Sequence, residues 1–96
     1  MFDKMKQLAQ VKKQAEALKK ELDSASVDVT KVNGIRIRIT GSQKFQTIEV
    51  APDLLRPENK QRFEQDLVNS CNAAIAQSQQ IAAAKMKDLM PGMPGF

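Results

Sequence analysis

Ile35, Ile37 and Ile39 alternate with Arg36, Arg38 and Thr40 directly after Asn33-Gly34, in the stretch "VNGIRIRITG". A period of two places the isoleucines on one face and the polar residues on the other, which is a half-buried strand. Asn-Gly supplies the positive φ angles of a type I′ turn, so this strand is expected to form a tight hairpin with the run from Val27 to Val32. Gly41-Ser42-Gln43 breaks the strand, and Ile48 and Val50 mark a third. The expectation is a three-stranded antiparallel meander with one oily face, which must be covered by something else.

On both sides of this segment the apolar period changes to that of a helix. Met1, Leu8, Ala15 and Leu22 step by seven, as do Val11, Leu18 and Ala25. This is the seam of a helix from Phe2 to Asp23, about 33 Å long at 1.5 Å per residue. After Pro52 and a turn, Pro57 suits the first position of a second helix running to Leu89. Its stripe is Phe63, Leu67, Cys71, Ala74 or Ile75, Ile81 and Met86. The middle of that helix, residues 70–84, carries no charge, and its small residues suggest close contact with the first helix or with a second copy of the chain. The fold class is therefore α+β: a long N-terminal helix, a three-stranded antiparallel meander and a long C-terminal helix. Residues 1–89 read as one domain and residues 90–96, "MPGMPGF", as a mobile Pro/Gly/Met tail. Both helices are longer than a three-stranded sheet is wide, so their ends must protrude or be covered by a partner chain.

The chemistry of catalysis is thin. There is no histidine, tyrosine or tryptophan, so the commonest general base near neutral pH is missing. Cys71 lies on an apolar stripe with no imidazole to activate it, and reads as a small buried hydrophobe. The carboxylates are scattered and no Cys/His cluster offers a metal site. Gly34 and Gly41 form no phosphate-cradling motif. The four phenylalanines, at 2, 45, 63 and 96, make a poor stacking platform for single strands. The reading is a protein that is not an enzyme and uses no cofactor and no small-molecule substrate. "MFDKMKQ" does not open a signal peptide, and no apolar run is long enough for a bilayer span. A single cysteine fits a reducing compartment. A cytoplasmic protein is expected.

The charge that remains is positive. The net charge is +4, and "KMKQLAQVKKQAEALKK" sets six lysines against one glutamate. On a helix Lys6, Lys13 and Lys20 fall opposite the apolar seam, with Lys12 and Lys19 flanking them and Glu16 and Asp23 assigned to the other flank. Five lysines would then form a stripe almost unbroken by acid. One account is a solvated face with salt bridges four residues apart; the other is an anion-binding face. Double-stranded DNA suits a rigid basic rod, and lysines bind phosphates as point charges without reading bases. Lys85 and Lys87 near the end of the second helix could add to such a surface, as could Lys60 and Arg62 near its start, but each pair sits beside an acid (Asp88 for the first, Glu58 and Glu64 for the second) and reads rather as solvated surface. Arg36 and Arg38 should pair with Glu49 or Asp28 across the sheet. Two other classes compete with DNA binding: a dimeric helical clamp for a protein partner, favoured by the uncharged 70–84 face, and an amphipathic helix on an anionic membrane, disfavoured by an Ala/Val-rich stripe without Trp.

"MFDKMKQLAQVKKQAEALKKEL", the strand "IRIRITG" ending in Gly41, "IEVAPDLL" from Ile48 to Leu55 and the ending "MKDLMPGMPGF" together resemble the YbaB/EbfC family of bacterial nucleoid-associated proteins. Two features depart from its pattern: only Asn33-Gly34 stands where members carry a glycine-rich connection, and Ala51 precedes Pro52 where an acid is common. The resemblance implies a tweezer-shaped homodimer that grips double-stranded DNA at the nucleoid with projecting helices. It also implies no catalytic or metal residues. The matching DNA-contact positions are Lys6, Lys12, Lys13, Lys19 and Lys20 of the first helix, with Lys85 and Lys87 near the end of the last.

Overall fold

A computed structural model describes residues 2–89; Met1 of the expected seam and the expected 90–96 tail lie outside the described residues. Helix α1 spans Phe2–Ser24, strands β1, β2 and β3 span Ser26–Val29, Ile35–Thr40 and Phe45–Val50, and helix α2 spans Lys60–Leu89. Two short 3₁₀ turns, Pro52–Leu54 and Pro57–Asn59, join β3 to α2. Each has proline near its start, where a missing N–H costs nothing.

The sheet is antiparallel in the order β1-β2-β3. Ile35, Ile37 and Ile39 of the central strand are 1%, 0% and 0% exposed, so the period-two pattern does mark the core face. The hairpin joining β1 to β2 differs from the expected one. β1 stops at Val29, which pairs with Ile37, and the connection runs through residues 30–34. The Ile35 N–H donates to the Val32 carbonyl at 3.1 Å, and of the two residues between them only Gly34 has positive φ, +96°. That is the pattern of a type II turn, which needs positive φ only at its third residue, and not of the type I′ turn, which needs it at both. A Cβ on Gly34 would stand 2.8 Å from Leu54 Cδ1, so the turn is also pressed against the first 3₁₀ segment.

α2 lies across β1 and β2. Ser70, Ala74 and Ser78 recur every four residues and are 1%, 0% and 0% exposed. They form the helix's contact face, and their small size lets its backbone come close to the isoleucines. The small residues Ser70, Ala74 and Ser78 of the 70–84 stretch thus face the sheet, while Ile81 near its end meets Leu22 of α1 at Gly41, the contact between helices that the sequence suggests. Phe63, Cys71, Ala73 and Ile75 complete the packing around this core, so Cys71 is a core-flanking side chain. The Ser78 hydroxyl donates to the Thr40 carbonyl at 2.7 Å and accepts the Gln43 N–H at 3.1 Å, tying the β2–β3 turn to the helix. Gln43 holds the left-handed conformation that the turn requires, φ 64°.

β3 is left uncovered. Its pairing with β2 carries a bulge at Arg38/Ile39: Thr47 pairs with Arg38, but Phe45 pairs with Ile39, so Gln46 is the extra residue. The bulge restores Phe45 to the oily face beside Ile48 and Val50. Among the described residues no helix covers Phe45 and Ile48, which remain 44% and 47% exposed, while Val50 is half-buried. The sheet therefore has cover for two of its three strands.

The radius of gyration is 18.4 Å and the extents are 66 × 22 × 18 Å. A compact chain of this length would have a radius near 12–13 Å. The excess comes from α1, whose residues 4–17 are all exposed.

Candidate nucleic-acid interface

α1 forms because its sequence has no glycine or proline and is rich in Ala, Lys, Gln, Glu and Leu, all strong helix formers. It ends where Ser24 turns its hydroxyl back to the Glu21 carbonyl, 3.1 Å away. Only its C-terminal end is seated on the body of the fold: Leu18 and Leu22 are half-buried, and the Gly41 N–H donates to the carbonyls of Leu22 and Ala25 at 3.0 and 2.9 Å. The apolar seam read from the sequence is packed only there. Met5, Leu8 and Val11 are 69%, 70% and 57% exposed. The reason is geometric. α1 runs antiparallel to α2, with Glu21 level with Lys85, and α2 is described only to Leu89. Among the described residues about one further turn of α1 has a neighbour, and residues 4–17, all exposed, form an arm.

Lys6, Lys12, Lys13, Lys19 and Lys20 all lie on α1 and all are exposed. None makes an ion pair among the described residues, and the pairs four residues apart, Lys12–Glu16 and Glu16–Lys20, are not closed. The stripe is nevertheless less uniform than the sequence reading has it. At 3.6 residues per turn, Glu16 and Asp23 fall between the row Lys6/Lys13/Lys20 and the row Lys12/Lys19, not on a far flank. The arm therefore carries two basic rows separated by a thin acidic line. The longer row, Lys6 to Lys20, spans about 21 Å.

The other candidate cations have different surroundings. Lys85 is half-buried against α1 with its Nζ 3.2 Å from Glu21 Oε2. Lys87 is exposed in the last turn of α2, where a cation complements the helix dipole. The structure thus gathers five of the seven candidates on α1, engages Lys85 in a contact between helices, and leaves Lys87 exposed in the last turn of α2. Arg36 pairs with Glu49 at 2.7 Å and Arg38 with Asp28 at 2.9 Å, across the polar face of the sheet. That contact holds the Asp28 carboxyl below the usual range. Lys60 pairs with Glu64 at 2.7 Å and Arg62 with Asp66 at 3.8 Å, each four residues on. These cations are committed to neighbours, as their spacing suggests.

A second surface was not legible in the sequence. Phe45 and Ile48 of β3 are exposed on the sheet's oily face, and Val68, Cys71 and Ile75 lie on the flank of α2 opposite the one where Ala73 and Gln77 line a groove with β1. Val68 is 53% exposed. The signal that could have found Phe45 was its apolar character beside Ile48, but the bulge hides it from a strict count of two. Among the described residues no group of His, Cys, Asp and Glu could hold a metal ion, and no helix is long and apolar enough to cross a membrane.

Residues 1–93 match the model of the YbaB/EbfC DNA-binding family. A nucleoid-associated protein of Nocardia farcinica is 28% identical over 106 residues, covering 99% of this chain and 94% of its own. One from Clostridium kluyveri is 27% identical, with 100% and 87% covered, and one from Chloroflexus aurantiacus is 26% identical, with 96% and 93% covered.

Proposed function

The chain belongs to the YbaB/EbfC DNA-binding family, and from that premise we propose that it grips double-stranded DNA through phosphate contacts from the lysines of α1. The observation that carries this is the arm itself: residues 4–17 wholly exposed, with Lys6, Lys12 and Lys13 on it and Lys19 and Lys20 at its base, none closed into an ion pair among the described residues. A helix that served only to cover the sheet would bury its seam. This one presents two rows of point charges at a distance from the body, which suits a polyanion whose charge repeats every 1.7 Å or so of axis. Lysine on an exposed helix fixes position without reading bases, so the binding is to duplexes of any sequence. The Glu16–Asp23 line between the rows sets their spacing and discourages both rows from lying flat on one phosphate strand.

The same reading includes a homodimer. A second copy covers Phe45 and Ile48 of β3 together with Val68 and Ile75 of α2, and of the uncharged 70–84 stretch Ser70, Ala74 and Ser78 take no part, since they already face the sheet of their own chain. A two-fold arrangement doubles the arms and gives the tweezer shape. The site of action is the nucleoid, in the cytoplasm, as the names of the bacterial relatives suggest. The uncovered β3 face also fits a clamp for some other protein, and the self-association experiment below separates the two. The DNA reading is tested by fluorescence anisotropy with two unrelated duplexes and the variant Lys13→Ala/Lys20→Ala. Loss of affinity on both duplexes to a similar degree is expected. Loss on one alone means that bases are read, and no loss means that the lysines are only solvated.

A further inference from the structure

The described hydrogen bonds and ion pairs that tie α1 to the rest of the chain gather around one small seat at the end of β2. Gly41 is its centre. It is buried, its N–H is shared between the Leu22 and Ala25 carbonyls, and a Cβ there would stand 3.0 Å from both Leu22 Cδ2 and Ile81 Cγ2 and 3.3 Å from the Leu22 carbonyl oxygen. The last turn of α1, the end of β2 and α2 therefore meet with no room for a methyl group. On one side Asp23 Oδ1 accepts the Ser42 hydroxyl at 2.6 Å and lies 3.8 Å from Lys44 Nζ, while Ser42 Oγ and Thr40 Oγ1 share a hydrogen at 2.9 Å. On the other side Glu21 Oε2 meets Lys85 Nζ at 3.2 Å.

We infer that this seat is a clamp that sets the angle at which α1 leaves the body, and that Lys85 is a positioning residue acting through Glu21 and not a phosphate ligand. The inference rests on the DNA-binding reading of the arm for its functional meaning. Leverage makes the angle matter. From Glu21 to Lys6 the helix runs about 22 Å, so a tilt of about 10° at the seat carries Lys6 about 4 Å, farther than a charge-assisted hydrogen bond to a phosphate tolerates. No other described contact restrains the arm, because residues 4–17 touch nothing large enough to bury them. Lys85 is also poorly placed to serve as a ligand: its charge is already opposed by Glu21, and reaching a phosphate would release the very contact that holds the arm.

The experiment compares Lys85→Gln, Glu21→Gln and the charge swap Glu21→Lys/Lys85→Glu in the full chain. One readout is affinity for a duplex; the other is amide exchange of the Gly41 N–H without DNA. An exposed ion pair supports a change of about two- to five-fold. Both single variants are expected to weaken binding and to speed Gly41 exchange by that factor, and the swap, which keeps every charge but exchanges their places, to restore both. If Lys85→Gln weakens binding while Glu21→Gln tightens it, with Gly41 exchange unchanged in each, Lys85 is a phosphate ligand and the clamp is overturned. If the unsubstituted chain does not bind DNA, the DNA reading fails, and Gly41 exchange alone still decides whether the pair seats the arm.

Discussion

Replacing Ile48 by Asp should abolish self-association while leaving the protomer folded. Ile48 is 47% exposed and Phe45 44%, so roughly half of each side chain has yet to be buried. Full burial of such a side chain is worth about 1.5–3 kcal/mol; the remaining half is worth about 1 kcal/mol. Counted on both copies, the pair contributes about 4 kcal/mol to a dimer, a factor near a thousand in its dissociation constant. An Asp at the centre of that surface removes the Ile contribution and adds the cost of desolvating a carboxylate without a partner. The protomer should tolerate it, because Ile48 lies on an edge strand and is already 47% exposed. Sedimentation equilibrium from micromolar to hundreds of micromolar, with circular dichroism of the same samples, reads both quantities. A variant that dimerises as tightly as the parent refutes the assignment of the β3 face. A parent that is monomeric throughout refutes the homodimer. Ala74→Glu makes the contrast: Ala74 is fully buried under the sheet, so that change should unfold the protomer and not merely dissociate it.

Three further outcomes follow from the fold. Ser78→Ala removes a buried hydroxyl that donates to the Thr40 carbonyl and accepts the Gln43 N–H; because Gln43 also reaches the Thr40 carbonyl at 3.1 Å, denaturant unfolding should show a loss of about 1–2 kcal/mol, not the sum of two orphaned groups. Gly34→Ala forces a side chain into a φ of +96° and against Leu54, with an expected loss of about 1–3 kcal/mol in the same assay. The carboxyls of Asp23 and Asp28 are held low in the fold, the first chiefly by the Ser42 hydrogen bond and the second chiefly by that from Arg38. Since their folded values lie below the unfolded value near 3.9, the stability they add is whole above it and is lost as pH falls through the folded values. Thermal melts should therefore change little on their account from pH 7 to about 5 and fall below about 4, and the decline should be shallower in Asp23→Asn/Asp28→Asn.

The elements were legible because their periods are clean. The alternation of Ile35, Ile37 and Ile39 is the core face of β2, and the reach of both helices agrees with their apolar steps to within a turn. What escaped the sequence was what those faces touch. A heptad seam says that α1 has an apolar stripe, not whether a neighbour is long enough to meet it; Leu22 is packed and Leu8 is bare for that reason. The small residues of α2 announce close approach, but the same spacing serves a sheet as well as a helix. Asn33-Gly34 marks the turn but not its type, which the five-residue connection and the packing against Leu54 decide. Among the candidate cations, Arg36, Arg38, Lys60 and Arg62 take neighbours that their spacing suggests; Lys85 and Lys87 also sit beside an acid, Asp88, but the partner Lys85 takes is Glu21, 64 positions away in sequence, which spacing does not reveal.

The central claim is that the lysines of α1 neutralise DNA phosphates. The salt dependence of duplex affinity measures this most directly. With about 6–8 phosphates neutralised by a dimer, log K against log salt should fall with a slope of about −5 to −7. Lys13→Ala/Lys20→Ala removes four charges from the dimer and should flatten that slope by about 2 to 4, with little change in folding because alanine is a better helix former than lysine. An unchanged slope in that variant would contradict the account.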